Sequence, residues 1–487
     1  MSKIHGMMDV GKRSMMNSQT ALQTVGHNIA NKGTEGYSRQ RVELQTAEPI
    51  GIGKLRIGMG SKTAAVTRVN NPYLEKQIGN EQATLGYWNS KHESMTRVEA
   101  IYNEQLNKGL NTFVSDFFNT FRELSNNPES LATRTQVKES ADLLTKDFKR
   151  INNQLTEIQK DIDHQVEVQV FDINEMTTEI AKLNEKIQMV EIQGSPANDE
   201  RDRRDLLIKN LGERINIRWA EGEDGMVTIT GGNSALLVAG TDAKQLSVQA
   251  TPETDTKGEA NFDVFYKSSN SATPIKVTQQ FSGGALGGLL EVRDQHIGNL
   301  LKDVDQMAYG LATTVNAVHS RGFDGYNKQG QQFFAVPDSV RHAARAMAVS
   351  DAISKDPVKI AAAASPSGPG DNRIATALSR LQFENIMGNA DRTPANLEEA
   401  GAANTVDEFY NAMVGKVGIQ TRKAETSAAS QKDIVGQLKN IRESISGVSL
   451  DEETTKMIEF QKAYDASARL IRTADEMFDT VLNLKRM

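Results

Sequence analysis

The chain has 487 residues, a formal net charge of -7 and no cysteine. Without cysteine, disulfides, Cys-ligated zinc and thiol catalysis are excluded, and the acidic balance argues against a nucleic-acid-binding protein, which needs a basic face. No run of about 18 apolar residues is present, so we expect no membrane insertion. The N-terminal residues contain no apolar signal-peptide core, so we expect no cleaved secretory signal.

Both ends of the chain carry apolar residues at helical spacing. In residues 1–31 they recur every seven residues on one side of a predicted helix, at Met8, Met15, Leu22 and Ile29, with Val25 beside them. A breaker cluster with Asn31, Gly33 and Gly36 follows. The sequence therefore predicts an amphipathic N-terminal helix that ends near residue 31.

The last stretch, 450–487, has the same pattern in two registers. One set of heptad positions contains Met457, Tyr464, Ile471 and Phe478, and the set three residues further on contains Phe460 and Val481. Ser449 can cap this helix, and acidic residues follow it where the helix dipole favours them. A two-faced helix at a chain end needs a partner along its length, which is either its own domain or another chain.

In the middle of the chain, the spacing of the apolar residues changes twice. Residues 73–211 have helical spacing throughout, with a charged helix start at 198–205 that we expect to be solvated. Residues 215–282 alternate with a period of two and contain Gly, Asn and Pro between short apolar runs, which predicts strands with a hairpin turn at Asp224-Gly225. Helical spacing returns from 283 and continues through 405–446, with one short strand and a turn expected between 347 and 360.

The predicted fold class is therefore mainly α with a β-rich insert (α+β). We expect a discontinuous coiled-coil domain in which 1–72 pairs with 447–487. A long helical bundle would be formed by 73–214 and 283–446, with a small mixed piece around 320–370. The β-rich insert, 215–282, would lie at the surface, where insertions are tolerated.

The stretch at 26–40, Gly-His-Asn-Ile-Ala-Asn-Lys-Gly-Thr-Glu-Gly-Tyr-Ser-Arg-Gln, resembles the N-terminal signature of the axial proteins of the bacterial flagellum, the rod, hook and hook-associated proteins. The signature residues are Asn28, Ile29, Asn31, Gly36 and Tyr37. Asn28 and Asn31 suit a helix end, where their side chains can bond to local backbone. The order Gly-Gly-Ala-Leu-Gly-Gly-Leu-Leu at 283–290, a long helix, Gly-Phe-Asp and Phe-Phe is similar to the hook-associated branch, which joins hook to filament.

This resemblance implies a structural subunit that leaves the cell through the flagellar type III pathway and becomes part of the extracellular flagellum. The implied partners are further copies of the chain in an axial ring, the hook protein, the second hook–filament junction protein and a cytosolic export chaperone that holds the C-terminal region. The heptad residues of both ends would pack against neighbouring subunits, and would stay unpaired until those neighbours are present.

We expect no enzyme. The seven His residues have no paired metal spacing, and no G-x-S-x-G elbow occurs, so no catalytic residue, metal or cofactor is assigned.

Two alternatives remain open at this point. One is another axial protein, such as a hook, distal rod or flagellin-like subunit. The other is an unrelated cytosolic helical scaffold or binding protein whose terminal helices pair within the monomer.

Overall fold

A computed structural model describes residues 2–52, 55–102, 109–252, 260–267, 273–335, 339–366, 370–387 and 404–484. The helices of the first half are α1 Ser2–Ala30, α2 Pro72–Ile101, α3 Leu110–Asn126, α4 Leu131–Ile192 and α5 Asn198–Arg214. Those of the second half are α6 Gly284–Glu291, α7 Gly298–His319, α8 Ala343–Ala346, α9 Asp351–Lys355, α10 Arg373–Arg380, α11 Val406–Ser446 and α12 Leu450–Leu484. The predicted terminal helices are thus present, and the final residues 485–487 of the C-terminal prediction lie outside the described residues.

The strands form small antiparallel sheets. They are β1 Gln40–Thr46, β2 Ile50–Ile52, β3 Leu55–Ile57, β4 Ser61–Arg68, β5 Ile217–Glu221, β6 Val227–Gly231, β7 Ala235–Ala239, β8 Asp242–Ala243, β9 Leu246–Pro252, β10 Ala260–Tyr266, β11 Ile275–Lys276, β12 Phe334–Ala335 and β13 Ala348–Val349. β1 pairs with β4, from Gln40 opposite Arg68 to Thr46 opposite Ser61, as a two-stranded ribbon. The predicted β insert contains the sheets β5-β6-β7-β8 and β11-β10-β9. The predicted fold class, helices with small sheets in the middle of the chain, is confirmed.

The chain divides into two compact units, and neither coincides with a predicted domain. Unit 1 contains 1–87, 169–285 and 429–487, and unit 2 contains 88–168 and 286–428. The predicted boundaries followed changes in composition, whereas α2, α4 and α11 each contain a boundary between the units within one uninterrupted helix. The strands of the insert belong to the same unit as both chain ends.

The core of unit 2 is built around phenylalanine rings. Phe117 and Phe121 of α3 meet Phe333 and Phe334, with ring centroids 4.8 to 5.8 Å apart. These rings are fully buried. Edge-to-face and tilted ring pairs of this kind add about 0.5–1.5 kcal/mol each to the burial of the rings, so these four phenylalanines form part of the core of unit 2.

The structure differs in detail from the local predictions at three places. The helix expected after 283 contains a π-helical segment, Val292–Ile297, between α6 and α7. The segment expected to be one strand and a turn contains β13 but also α9. The charged start of α5 is solvated only in part: Asp199 and Arg203 are exposed, whereas Asp202 is 6% and Arg204 1% exposed. Arg204 instead donates to the carbonyl of Gly225 at 2.6 Å and pairs with Glu221 at 2.9 Å.

Candidate subunit interface and the junction of the chain ends

The two terminal helices of unit 1 pack against each other. The rings of His5 and Phe478 lie 5.5 Å apart, edge to face, and Ser467 donates to the hydroxyl of Ser14 at 2.7 Å. The approach is close at Gly11, where an added Cβ would lie 2.7 Å from Cγ1 of Ile471. In the structure the heptad faces are therefore not left without a partner, because each end supplies a partner to the other.

This pairing covers the heptad residues only in part. Val25 is buried, and Val481 is 39% exposed. The other predicted packing residues are half-buried: Met8, Met15, Leu22, Ile29, Met457, Phe460, Tyr464, Ile471 and Phe478. Further apolar side chains of α12 are exposed, namely Ile458, Met477 and Leu482. Two helices bury one seam between them, so apolar surface remains along the outside of the pair.

The turn after α1 is held by Asn28, which is 1% exposed. Its Nδ2 donates to the carbonyl of Gln40 and to Oε2 of Glu453, both at 2.9 Å. Its Oδ1 accepts from the hydroxyl of Tyr37 at 2.8 Å and from the amide of Gln40 at 2.9 Å. We call Asn28, Tyr37, Gln40 and Glu453 the end junction, because they connect α1, the ribbon and α12.

The remaining signature residues support this turn. Asn31 donates to the carbonyl of His27 at 3.1 Å, as expected for a helix end, and Ile29 is half-buried on α1. Gly36 has φ +82, and an added Cβ there would lie 3.1 Å from Leu206. A side chain at this position would meet both a strained backbone and a neighbouring helix. The expectation of local backbone bonds holds for Asn31, whereas the partners of Asn28 are Tyr37 of the turn, Gln40 of β1 and Glu453 of α12.

A second layer of charged residues surrounds the turn. Arg442 of α11 donates to the carbonyls of Gly36 at 3.1 Å and Tyr37 at 2.9 Å, and pairs with Glu75 at 3.1 Å. Lys209 pairs with the same carboxylate. The amide of Ser38 donates to Asp202 at 2.8 Å. The backbone of the turn is thereby fixed to α5 and α11 by charge-assisted hydrogen bonds, which are stronger than neutral ones.

The electrostatics of the turn follow from burial and from these pairs. Burial raises the pKa of Tyr37 well above its usual value, and Asp199, Asp202 and Glu453 raise it further. Tyr37 therefore remains a neutral donor to Asn28. For Glu75, burial acts to raise the pKa, but Lys209 and Arg442 outweigh it and the pKa is lowered, so this carboxylate stays charged beside its two cations.

Several of these residues carry no signal that sequence reasoning used. Glu453 is one of three consecutive acidic residues near a helix start, and the local pattern does not distinguish it from Asp451 or Glu452. Arg442 lies among polar residues of α11. Asp202 belongs to a charged stretch that was expected to face solvent. Their roles depend on partners far away in the chain, as with Asn28 and Glu453, 425 residues apart.

A cleft of about 550 Å³ lies in unit 1 and is lined by residues that include Arg68, Glu75, Arg201 and Trp219. Its charged groups pair with one another: Arg68 binds Asp202 and Asp205 at 2.7 and 2.9 Å, and Arg201 binds Glu191 at 2.6 Å. These pairs connect α5 to the ribbon and to α4. Among the described residues no group of three or more His, Asp or Glu could hold a metal ion, and no described helix is long and apolar enough to cross a membrane.

Comparison with known families agrees with both the terminal helices and the middle of the chain. Residues 443–484 match the family model described as the C-terminal region of flagellar basal body rod FlgEFG proteins. Residues 95–334 match the helical domain of the flagellar hook-associated protein FlgK. A chain whose two end helices meet at a signature turn, and whose C-terminal helix is of the rod type, is a flagellar axial protein.

Individual relatives extend this similarity to nearly the whole chain. Flagellar hook-associated protein 1 of Bacillus subtilis is 27% identical over 98% of this chain and 97% of its own length. The protein of the same name from Escherichia coli is 25% identical over 96% of this chain and 97% of its own. The chain is thus similar to flagellar hook-associated protein 1 over nearly its whole length. Its fold is similar to that of the flagellar hook junction protein FlgK from Burkholderia pseudomallei, with a TM-score of 0.66, 16% identity, and coverage of 76% of this chain and 100% of that one.

Proposed function

We propose that the chain is a structural, non-enzymatic subunit of the bacterial flagellum at the junction between hook and filament. One observation carries this proposal, namely the similarity to hook-associated protein 1 over nearly the entire length of both chains. That similarity includes the helical middle, which argues against a hook or rod protein that would share only the ends.

The mechanism of assembly follows from the packing of the chain ends. The pair α1–α12 leaves apolar side chains such as Ile458 and Val481 on its outer surface. Neighbouring copies in an axial ring would cover that surface, which gains about 25 cal/mol for each Å² of apolar area removed from water. The signature residues of the turn set the direction in which the rest of unit 1 leaves the pair.

The individual binding partners are proposed from the same similarity to hook-associated protein 1. The hook protein would lie on one side of the ring and the second hook–filament junction protein on the other. A cytosolic export chaperone would hold the C-terminal region before export by the flagellar type III pathway, without a cleaved signal. A chaperone is physically reasonable because α12 buries few side chains, so the end of an unassembled chain exposes apolar surface.

Deletion of the gene in its own bacterium tests the proposal. We expect hooks without filaments, loss of swimming, and recovery of both when the unmodified gene is supplied on a plasmid. Gold-labelled antibody against unit 2 should bind at the tip of the hook in a strain that lacks only the filament protein. Normal filaments in the deletion strain, or label confined to the cytoplasm, would contradict the proposed function.

A further inference from the structure

α11 carries an apolar stripe that unit 1 covers only in part. The stripe consists of Ile434, Leu438, Ile441 and Ile445 of α11 and of Val448, two residues beyond the end of the helix, at intervals of four, three, four and three residues. This is the spacing of the apolar seam of a two-helix packing. We call these five residues the α11 stripe.

The side chains of the α11 stripe are accessible although they are apolar. Ile434, Ile441 and Ile445 are 40%, 48% and 38% exposed, and Leu438 and Val448 are half-buried. The neighbouring face of the same helix is already used, since Val435, Arg442 and Ser446 are buried in unit 1. The helix thus has one face in the core of its own unit and a second apolar face beside it.

The outer border of the stripe carries no charge. At the helical positions next to it lie Ser430, Gln437 and Ser444, all exposed. The absence of charge at the centre of a surface, with accessible apolar residues, is typical of the core of protein–protein interfaces. Two copies of a chain with a net charge of -7 repel one another, so a surface without charge is where copies meet at the lowest electrostatic cost.

We infer that the α11 stripe is a second contact between neighbouring copies of this chain, in addition to the contact through the chain ends. This inference rests on the proposed function, because the stripe alone is too small to hold a free dimer. Five residues are far fewer than the roughly 20–30 residues a side of a stable interface. A contact of this size becomes occupied where other contacts already hold the copies side by side, which raises their effective concentration.

The stripe also continues towards the chain end that the proposed function places between copies. Leu450, at the start of α12, is 40% exposed, and Ile458 is 54% exposed. Both lie in the same compact unit as the stripe. A neighbouring copy that covers the outer side of α12 can therefore extend onto α11.

The lack of native cysteine allows a direct test. Ile441→Cys and Lys439→Cys place a single thiol on the stripe and at an exposed position two residues away, on another side of α11. In the purified monomer both thiols should react with a maleimide at similar rates. In isolated hook–filament assemblies the thiol at 441 should react at least about tenfold more slowly, as expected for a residue covered by packing, and the thiol at 439 should be unchanged.

The identity of the partner is tested by a photoactivatable amino acid at position 441 in cells. We expect a covalent product of twice the chain mass whose peptides all come from this chain. A product with another flagellar protein would overturn the assignment of the partner, and equal thiol reactivity at 441 in monomer and assembly would overturn the stripe as a contact. If Ile441→Cys alone fails to enter flagella while the control enters, the contact is supported.

An experiment with the unmodified chain distinguishes failure of this inference from failure of the proposed function. If that chain is absent from purified flagella, the proposed function fails, and the stripe contact fails with it. If it is present but 441 is neither protected nor crosslinked, only the stripe contact fails.

Discussion

Asn28 is the residue at which three segments of unit 1 meet. Each polar atom of its amide has two partners, and the side chain is 1% exposed. Removing the amide leaves the hydroxyl of Tyr37 and the carboxylate of Glu453 buried with fewer partners. An unsatisfied buried polar group costs about 1–3 kcal/mol, and more when it is charged.

We therefore expect Asn28→Ala to destabilise unit 1 by about 3 kcal/mol. Urea unfolding in a Trp88→Phe background measures this, because Trp219 is then the only tryptophan and lies in unit 1. Asn31→Ala is the matched control: this residue is half-buried and bonds locally, so a loss below about 1 kcal/mol is expected. Equal losses for the two variants would contradict the role assigned to Asn28.

His319 of unit 2 is, like Asn28, a buried polar residue whose side chain has hydrogen-bond partners. It is fully buried, its Nδ1 lies 2.6 Å from the carbonyl of Gln331, and its Nε2 accepts from the amide of Ala361 at 2.8 Å. A carbonyl only accepts, so Nδ1 carries the proton and the ring is neutral. Burial lowers the pKa of His319 from 6.5 to about 4.

This shift predicts a loss of stability in acid. Between pH 6.5 and 4 the unfolded chain binds a proton at His319 that the folded chain does not bind, so stability is complete above 6.5 and falls as pH falls. The full loss is about 3 kcal/mol, from about 1.4 kcal/mol per pH unit. Urea unfolding of a Trp219→Phe background at pH 7 and 5, followed through Trp88, should show a smaller pH dependence in His319→Gln. An identical pH dependence with and without His319 would count against this account.

Among the secondary-structure elements, close packing against neighbouring backbone determines where α6 begins. Gly284 starts α6 with φ +69, and a Cβ there would lie 2.5 Å from the backbone of Arg214 and Ile215. This geometry explains why a glycine stands at position 284. The backbone at the end of α5 therefore leaves no room for a side chain at the first residue of α6.

Gly284→Ala should accordingly destabilise unit 1 by about 2 kcal/mol or more, because it adds both a steric clash and an unfavourable backbone angle. Gly436→Ala, in the interior of α11, is the opposite case. Nothing lies within 4 Å of its added Cβ, so a gain of about 0.5–1 kcal/mol is expected from helix propensity. Thermal unfolding of the two variants measures both changes in stability. The explanation would be refuted if both variants gained stability or both lost it.

For the whole molecule, the important element is the pair of chain ends. Ile471 meets Gly11 on α1 and lies on a heptad face. Ile471→Asp would place a charge in this seam, and Phe478→Asp would do the same near His5. We expect either variant to leave unit 2 folded by Trp88 fluorescence but to abolish incorporation into flagella, as scored by immunoblot of sheared filaments. Thr473→Asp, at an exposed position of α12, should assemble normally, and normal filaments in the Ile471→Asp strain would refute the role of the seam.

The pairing of α1 with α12 in one chain predicts limited protection before assembly. Among the described side chains of α12, the buried ones are Glu453, Ser467 and Ala474. In contrast, α3 buries six apolar side chains completely, those of Leu110, Val114, Phe117, Phe118, Phe121 and Leu124. Local stability follows buried contacts, so amides of 455–480 in the monomer should exchange at least about 100-fold faster than those of α3. In assembled flagella the two should become similar. Strong protection of 455–480 in the monomer would mean that the ends form a closed stem without neighbours.

Sequence by itself determined the features that repeat along the chain. Heptad spacing located α1 and α12, alternation located the strands of the insert, and the Asn and Gly residues at 28–36 located the turn, because each pattern reflects local geometry. Only the tertiary structure decided which residues meet across the chain. Asn28 has its partner in Glu453, Asp202 and Arg204 are buried, and the units divide within helices. These are contacts between distant segments, which produce no periodic pattern in the sequence. The sequence alone does not show whether a given carboxylate or guanidinium faces water or a buried partner.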